Sequence, residues 1–181
     1  CAGLFTANSM SCLTECLGLA LPGDGTLPAV FSARLELARR SGVQAVEAVR
    51  QGWSARRFLA PASLRNALTL DAALGSSTNP ALHPIAIAHE VGLRLPLETF
   101  NEVSAHTPHL VKLSPAGHFY MEDFHRAGGV MAALWRLAAA GLIDGSVPTV
   151  SGWDLARQYR VAEPRDDEVI RPLDRPYSPT G

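Results

Sequence analysis

Apolar residues along the chain recur mainly at three- and four-residue steps, the spacing that gathers side chains on one face of an α-helix. The pattern is therefore helix-rich with few strands, which is typical of an all-α domain or of the helical part of an α/β layer domain. It predicts helices over residues 9–21, 30–50, 61–74, 80–91, 97–104, 120–127, 129–140 and 153–159. It predicts short strands over residues 109–113 and 149–151.

Caps and helix breakers refine this prediction. Thr6 is the expected N-cap of the first helix and Asn79 that of the fourth, because short polar side chains accept hydrogen bonds from the first free N–H groups. Gly42 should bend or divide the second helix, and the pair Gly128-Gly129 should separate two later ones. The helix over residues 129–140 is apolar on nearly every side, so we expect it to be buried. Apolar residues of the second helix share one face: Phe31, Leu35, Ala38, Ala45 and Val49.

Composition narrows the classes of function. The 16 basic and 17 acidic residues nearly balance, which argues against a nucleic-acid or anionic-membrane surface. The apolar run over residues 130–134 is far too short to cross a membrane. Three cysteines form a poor disulfide framework and fit a reducing cytosol. Because the chain begins with Cys1 and ends in a polar, proline-rich run, we expect it to be a piece of a longer protein.

The three cysteines fall into two kinds. Cys1 lies on a small-residue turn just ahead of the first predicted helix, where free N–H groups and the helix dipole favour a thiolate. The alternative is that Cys1 is an ordinary free cysteine without a role. Cys12 and Cys16 lie one helical turn apart, but the spacing of the three matches no usual zinc or iron–sulfur motif. We expect Cys12 and Cys16 to be small buried hydrophobic residues.

Two further segments carry candidate chemistry. His118, Glu122 and His125 form a crude two-histidine-one-carboxylate set that could bind a single metal ion. The alternative is that these residues cap a helix start and complement its dipole. The loop over residues 75–79 exposes N–H groups and hydroxyls at a helix N-terminus, which suits a carboxylate or phosphate. Ser77 and Thr78 are its candidate substrate-binding residues, and simple helix capping is the alternative.

The run over residues 1–29, CAGLFTANSMSCLTECLGLALPGDGTLPA, resembles the dihydroxy-acid dehydratase and sugar-acid dehydratase family. Later stretches resemble it in the expected order: NALTLDAALGSSTN (66–79), AIAHEVGL (86–93), YMEDFHRAGGV (120–130) and VIRPLDRPYSPTG (169–181). The letters ANSM and LPGDGT are closer to the branched-chain dihydroxy-acid enzymes than to the phosphogluconate or aldonate enzymes. Family members often have CGGM or CSGM where this chain has CAGL, a departure that leaves Cys1 in place.

The resemblance implies a fold and a domain division. Residues 1–160 would be the later part of a three-layer α/β/α N-terminal domain, with few strands in this part of the chain. Residues 161–181 would be a linker towards a C-terminal β-barrel-like domain outside this chain. The resemblance also implies a cytoplasmic homodimer or higher homo-oligomer.

The resemblance further implies an iron–sulfur, Mg²⁺-dependent hydro-lyase that converts a 2,3-dihydroxy acid to a 2-oxo acid in branched-chain amino-acid biosynthesis. A sugar-acid dehydratase of the same family is the alternative substrate class. Cys1 would be the third cysteine ligand of a 2Fe–2S or 4Fe–4S cluster. The other two cysteines, the Mg²⁺ ligands and the serine base would lie outside these 181 residues. We therefore expect the chain alone to contain no complete catalytic set and to be inactive.

Two rival hypotheses come from other classes of protein. One is a non-catalytic helical module that binds a partner, in which Cys1 has no chemical role. The other is a mononuclear metal enzyme built on His118, Glu122 and His125. Metal analysis separates the three hypotheses, because they predict iron with sulfide, no metal and one divalent ion, respectively.

Overall fold

Helices form about half of the chain, which the computed structural model describes from Cys1 to Gly181. This confirms the helix-rich prediction. The α-helices are α1 (Thr6–Cys16), α2 (Ala33–Arg50), α3 (Pro61–Leu74), α4 (Asn79–Glu90), α5 (Glu98–His106), α6 (Met121–Arg126), α7 (Gly129–Ala139) and α8 (Leu155–Tyr159), with a 3₁₀ turn at Ala55–Arg57. None of these helices is both long enough and apolar enough to span a membrane.

The two predicted strands do not form a sheet. The structure has only isolated bridges, between His109 and Ser178, between Leu113 and Phe119, and between Pro148 and Asp154. For residues 109–113 the physical reason is that backbone N–H groups of this segment already donate to the end of a helix. The N–H groups of residues 110 and 111 both donate to the carbonyl of Ala73 near the end of α3, at 2.9 and 3.1 Å.

Glycine and proline set several helix boundaries as predicted. Helix α3 begins at Pro61 and ends at Leu74, where Gly75 adopts the left-handed conformation with φ of 57°. Gly128 and Gly129 have positive φ angles and separate α6 from α7.

The predicted caps of the first and fourth helices were wrong. Phe5 occupies the N-cap position of α1, and Thr6 is already its first helical residue. Helix α4 likewise starts at Asn79, with Thr78 at the cap position and no side-chain capping hydrogen bond. Instead, the Asn79 amide lies 3.2 Å from the His83 ring, one turn along the same helix. The first free N–H groups of α4 therefore have no side-chain cap.

The main core is built around α7, which confirms its predicted burial. Seven of its residues are buried, and they pack with the ends of α3 and α6 and with the segments around residues 110–113 and 169–170. Helix α1 lies between this core and a smaller cluster, in which Leu13 and Leu17 pack against α3 and α4. Helix α1 therefore contacts three other helices and is largely enclosed.

Helix α2 departs most clearly from what its apolar pattern suggests. Leu37 is its one buried residue, whereas Leu35 and Val49 are 77% and 79% exposed. The helix also runs through Gly42 without interruption, so the predicted break at that residue was wrong. Within these 181 residues no element covers the apolar side of α2 that carries Leu35 and Val49.

The last twenty residues contain no helix but pack onto the core. The N–H groups of Arg171 and Tyr177 donate to the carbonyls of Leu110 and His109, both at 2.9 Å. Val169 and Ile170 are buried. This segment therefore holds residues 109–110 in place from the side opposite α3.

We predict that Asn66→Ala destabilises the fold by about 1–3 kcal/mol, because it leaves two backbone groups of Asp144 without partners. Asn66 is buried on α3; its amide donates to the Asp144 carbonyl at 2.8 Å and accepts from the Asp144 N–H at 2.9 Å. Denaturant unfolding of the complete protein measures the change. The matched control is Asn101→Ala on the exposed side of α5, which should change stability by less than about 0.5 kcal/mol. Equal effects of the two variants would contradict the prediction.

Candidate functional site

Cys1 lies in the wall of a cavity with a volume of about 570 Å³. Backbone and side-chain hydrogen bonds fix the segment that carries it. The Asn8 amide donates to the carbonyls of Cys1 and Gly3 at 3.0 and 2.7 Å, and the Met121 N–H donates to the Ala2 carbonyl at 2.7 Å. The start of the chain is therefore held between α1 and α6, with Cys1 itself exposed.

Three segments far apart in sequence form the walls of this cavity. The first is the start of the chain with the first turns of α1. The second is the loop between α1 and α2 together with the first turn of α2, and the third is the start of α6. The polar and charged lining residues are Cys1, Asn8, Ser11, Asp24, Thr26, Arg34, Tyr120, Glu122 and Asp123. Cys1 and Glu122 were candidates from the sequence, whereas the loop residues Asp24 and Thr26 were not.

Carboxylates and one guanidinium set the charge of the cavity wall. Arg34 donates to both the carbonyl and the carboxylate of Asp24, at 3.1 and 3.0 Å. Asp123 accepts a hydrogen bond from the Tyr120 N–H at 2.8 Å and so caps the start of α6. Glu122 lines the same wall and pairs with Arg126.

Thr26 and His125 connect the loop wall to the α6 wall. The Thr26 Oγ1 and the His125 Nδ1 share a hydrogen bond of 2.9 Å across 99 positions of sequence. Thr26 is 4% exposed, so its hydroxyl depends on this partner. Partial burial, followed by the Arg165 and Arg34 guanidinium groups, lowers the pKa of His125 below its ordinary value.

The other two cysteines are inert by position, as expected. Cys12 and Cys16 are fully buried on α1. Burial raises the pKa of both thiols well above the ordinary value, and the neighbouring Glu15 carboxylate adds to the effect. Cys1 is therefore the one exposed thiol in these 181 residues.

His118, Glu122 and His125 do not form a metal site, so this part of the mononuclear-metal hypothesis was wrong. His118 packs against the Phe119 ring, Glu122 pairs with an arginine one turn along α6, and His125 bonds to Thr26. No group of three or more His, Cys, Asp or Glu side chains in the chain is arranged to hold a metal ion. The prediction from sequence spacing was wrong because each of the three side chains contacts a different partner.

Ser77 and Thr78 line a second, smaller cavity of about 260 Å³ rather than the wall beside Cys1. Residues 4–6 form the opposite side of this cavity, so both cavities border the first eight residues of the chain. The Ser77 N–H donates to the hydroxyl of Ser9 on α1 at 3.1 Å. The structure thus places the two predicted substrate-binding residues next to the start of α1, in a different cavity from Cys1.

The segments that form both cavities belong to a known family. The family model described as "Dihydroxy-acid/6-phosphogluconate dehydratase N-terminal" matches residues 1–158, nearly the whole chain. The chain therefore belongs to the dihydroxy-acid and 6-phosphogluconate dehydratase family.

Within that family, the chain is similar to several proteins named dihydroxy-acid dehydratase. The chain is 49% identical over all 181 residues to proteins named dihydroxy-acid dehydratase from Caldanaerobacter subterraneus subsp. tengcongensis and Caldicellulosiruptor saccharolyticus. It is 47% identical over the same length to the protein of that name from Acetivibrio thermocellus. In each case all of this chain is matched, and it spans about a third of the relative's length.

We predict that acid destabilises the folded chain partly through His125. The folded state lowers the pKa of this residue, so it binds the proton less readily than the unfolded chain does. The stability that this difference contributes is present above the ordinary histidine pKa of about 6.5 and is lost as the pH falls below it. His125→Gln should therefore lose less stability than the native protein when denaturant unfolding is compared at about pH 7 and about pH 5.

A control for this prediction keeps the histidine and removes its partner. Thr26→Val should lower stability at both pH values by about 1 kcal/mol, because a hydrogen bond is lost. It should keep a pH dependence of the native kind, because the burial of His125 and the two arginines remain. Parallel pH curves for the native protein and His125→Gln would show that the histidine plays no part.

Proposed function

We propose that the complete protein containing this chain is a hydro-lyase that converts a 2,3-dihydroxy acid to a 2-oxo acid. The observation that carries the proposal is the identity of 47–49%, over all 181 residues, to proteins named dihydroxy-acid dehydratase. The Cys1 cavity is consistent with this proposal. The cavity has an exposed thiol and polar groups in its wall, and its volume is large enough for a small organic acid. Branched-chain amino-acid biosynthesis is the proposed pathway, and a sugar acid is the alternative substrate.

An iron–sulfur cluster and Mg²⁺ are the proposed cofactors. The residues present fit one cluster ligand, because Cys1 is the exposed thiol and lies on a fixed segment in the cavity wall. When bound, the cluster would supply an iron that acts as a Lewis acid on the departing C3 hydroxyl. The remaining cluster cysteines, the Mg²⁺ ligands and the base would come from the part of the protein outside this chain.

The residues of this chain have positioning and binding roles in the proposal. Asn8 fixes the backbone of residues 1–3, which carries the Cys1 thiol, through its two hydrogen bonds. Arg34 and Asp24 form a charge pair at the cavity, and the Arg34 guanidinium is the cation there that a substrate carboxylate would meet. The N–H groups of Thr78 and Asn79, which donate to no other group of the chain, are a second proposed contact for an anionic group.

The domain and assembly proposals follow the family likeness. Residues 1–160 would belong to the N-terminal domain, in line with the family match over residues 1–158, and residues 161–181 would lead towards a C-terminal domain. A cytoplasmic homodimer or higher homo-oligomer is the proposed state of the complete protein. This chain by itself would be inactive, because one thiol cannot hold a cluster and the base is absent.

Cys1→Ser in the complete protein should lower iron and sulfide content at least about tenfold, because a hard alkoxide replaces a soft thiolate. Cys12→Ser and Cys16→Ala are the controls and should keep the native iron content, because both thiols are buried and neither lines the cavity. Iron analysis and the visible absorption spectrum measure the result, and turnover of dihydroxyisovalerate by the native protein tests the reaction itself. An equal loss of iron in all three variants would contradict the assignment of Cys1.

Thr78→Val and Ser77→Ala test whether the second cavity contacts the substrate. If a hydroxyl there binds a carboxylate, kcat/KM should fall about tenfold while the melting temperature stays nearly unchanged. Thr99→Val, on α5 outside both cavities, is the matched control and should leave kcat/KM unaltered. A Ser77→Ala, Thr78→Val double variant with native kinetics would remove the loop from the substrate site.

A further inference from the structure

Glu15 is a buried carboxyl that the proposed reaction does not use. It lies near the end of α1, is 1% exposed and forms no ion pair with any basic side chain. A buried carboxyl without a cation is costly unless hydrogen bonds stabilise it. We therefore expect the Glu15 carboxyl to have a hydrogen-bond partner inside the fold.

The partners of Glu15 lie in the loop that forms one wall of the Cys1 cavity. Its Oε2 accepts the Gly25 N–H at 3.0 Å. Burial raises the pKa of Glu15 to about 7, and the nearby backbone N–H groups of Gly23 and Gly25 oppose the rise. Glu15 itself does not line the cavity, so any effect on the site must pass through the loop.

The same loop is held against α1 by close packing. A Cβ placed on Gly25 would lie 2.8 Å from the Cα of Cys12, so only glycine fits here without a shift of the backbone. The Cys12 thiol also donates to the Gly25 carbonyl at 3.6 Å. Gly25 is thus fixed through its N–H, its carbonyl and its Cα, and the N–H contact is the one that depends on Glu15.

The far end of the loop is held by a separate anchor. Thr26 bonds to His125 on α6, and a Cβ on Gly129 would lie 2.9 Å from the Thr26 hydroxyl oxygen. The loop over residues 23–26 therefore spans from α1 to the start of α7. Its cavity-lining members are Asp24, Gly25 and Thr26.

We infer that Glu15 is a positioning residue, which sets the place of the loop over residues 23–26 and thereby the shape of the cavity beside Cys1. The inference rests on the proposed function for its catalytic consequence. Its structural part, that Glu15 fixes the position of this loop, rests on the hydrogen bonds and packing described above.

Hydrogen–deuterium exchange of the complete protein tests the hold directly. In Glu15→Ala the amides of residues 23–27 should exchange at least about tenfold faster, because Gly25 loses its acceptor. Glu15→Gln keeps one acceptor oxygen and should restore most of the protection. If Glu15→Ala does not fold, Glu15→Asp serves instead, because it withdraws the carboxylate from Gly25 by one methylene, and it should speed exchange in the same loop.

Kinetics supply the second readout. Glu15→Ala should lower kcat/KM for dihydroxyisovalerate about tenfold, with recovery in Glu15→Gln and native iron content in both. Asn66→Ala is the matched control, because it removes a buried polar side chain with two backbone hydrogen bonds outside the cavity. It should destabilise the protein without faster exchange in residues 23–27 and without loss of kcat/KM.

The outcomes separate the inference from the function on which it rests. Unchanged exchange of the loop in Glu15→Ala, or in Glu15→Asp where the alanine variant does not fold, would overturn the inference. So would unchanged kcat/KM, or equal losses in Asn66→Ala. Absence of dihydroxyisovalerate turnover in the native protein would overturn the proposed function alone, and the exchange measurement would then decide whether Glu15 holds the loop.

Discussion

The enclosure of α1 is the constraint on which the rest of this structure depends. The helix packs against α3, α4 and α7, so both of the larger hydrophobic clusters include its side chains. Cys12 and Cys16 face one cluster, and Leu13 and Leu17 face the other. A helix surrounded in this way has a fixed position and rotation, because close-packed interiors do not deform gradually. The segment before α1 and the loop after it are therefore attached to a helix whose position is fixed.

The burial of α1 also explains why a polar site can be built at its two ends. Both Ser9 and Glu15 are buried on this helix, and each bonds to backbone that borders a cavity. Ser9 accepts from Ser77 beside one cavity, and Glu15 accepts from Gly25 beside the other. Polar side chains on a core helix are stable only with such partners. The helix thus connects the hydrophobic core directly to the loops that form the cavity walls.

Sequence pattern was a reliable guide where local chemistry decides the structure. The bounds of α3 and the break at Gly128-Gly129 follow from proline at a helix start and from glycine at positive φ. The pattern failed where tertiary partners decide. Residues 109–113 have strand-like composition, but Ala73 at the end of α3 takes two of their N–H groups. Leu35 and Val49 have helical spacing, but nothing in these 181 residues covers them.

The candidate site shows the same division. Its position before a helix and the family likeness made Cys1 a candidate, and the structure places it in a cavity wall. Glu15 could not, because an acidic residue in an amphipathic helix ordinarily points to solvent, and only the packing of the loop over residues 23–26 shows why it is inside. The failure of the His118, Glu122 and His125 set has a related cause. Spacing along one helix says which side chains are neighbours, but it does not say which outside partners each will prefer.

The origin of the cavity walls has a consequence for the order of folding. The Thr26–His125 hydrogen bond joins positions 99 residues apart, and Met121 reaches back to Ala2. Contacts of such long sequence separation form after the local helices, because closing the intervening chain costs entropy. During synthesis, α1 and its loop emerge well before α6 exists. Until α6 docks, the loop over residues 23–26 is held only at its α1 end. The Cys1 thiol is then exposed on an unfolded segment, because the wall that α6 contributes to the cavity is not yet present.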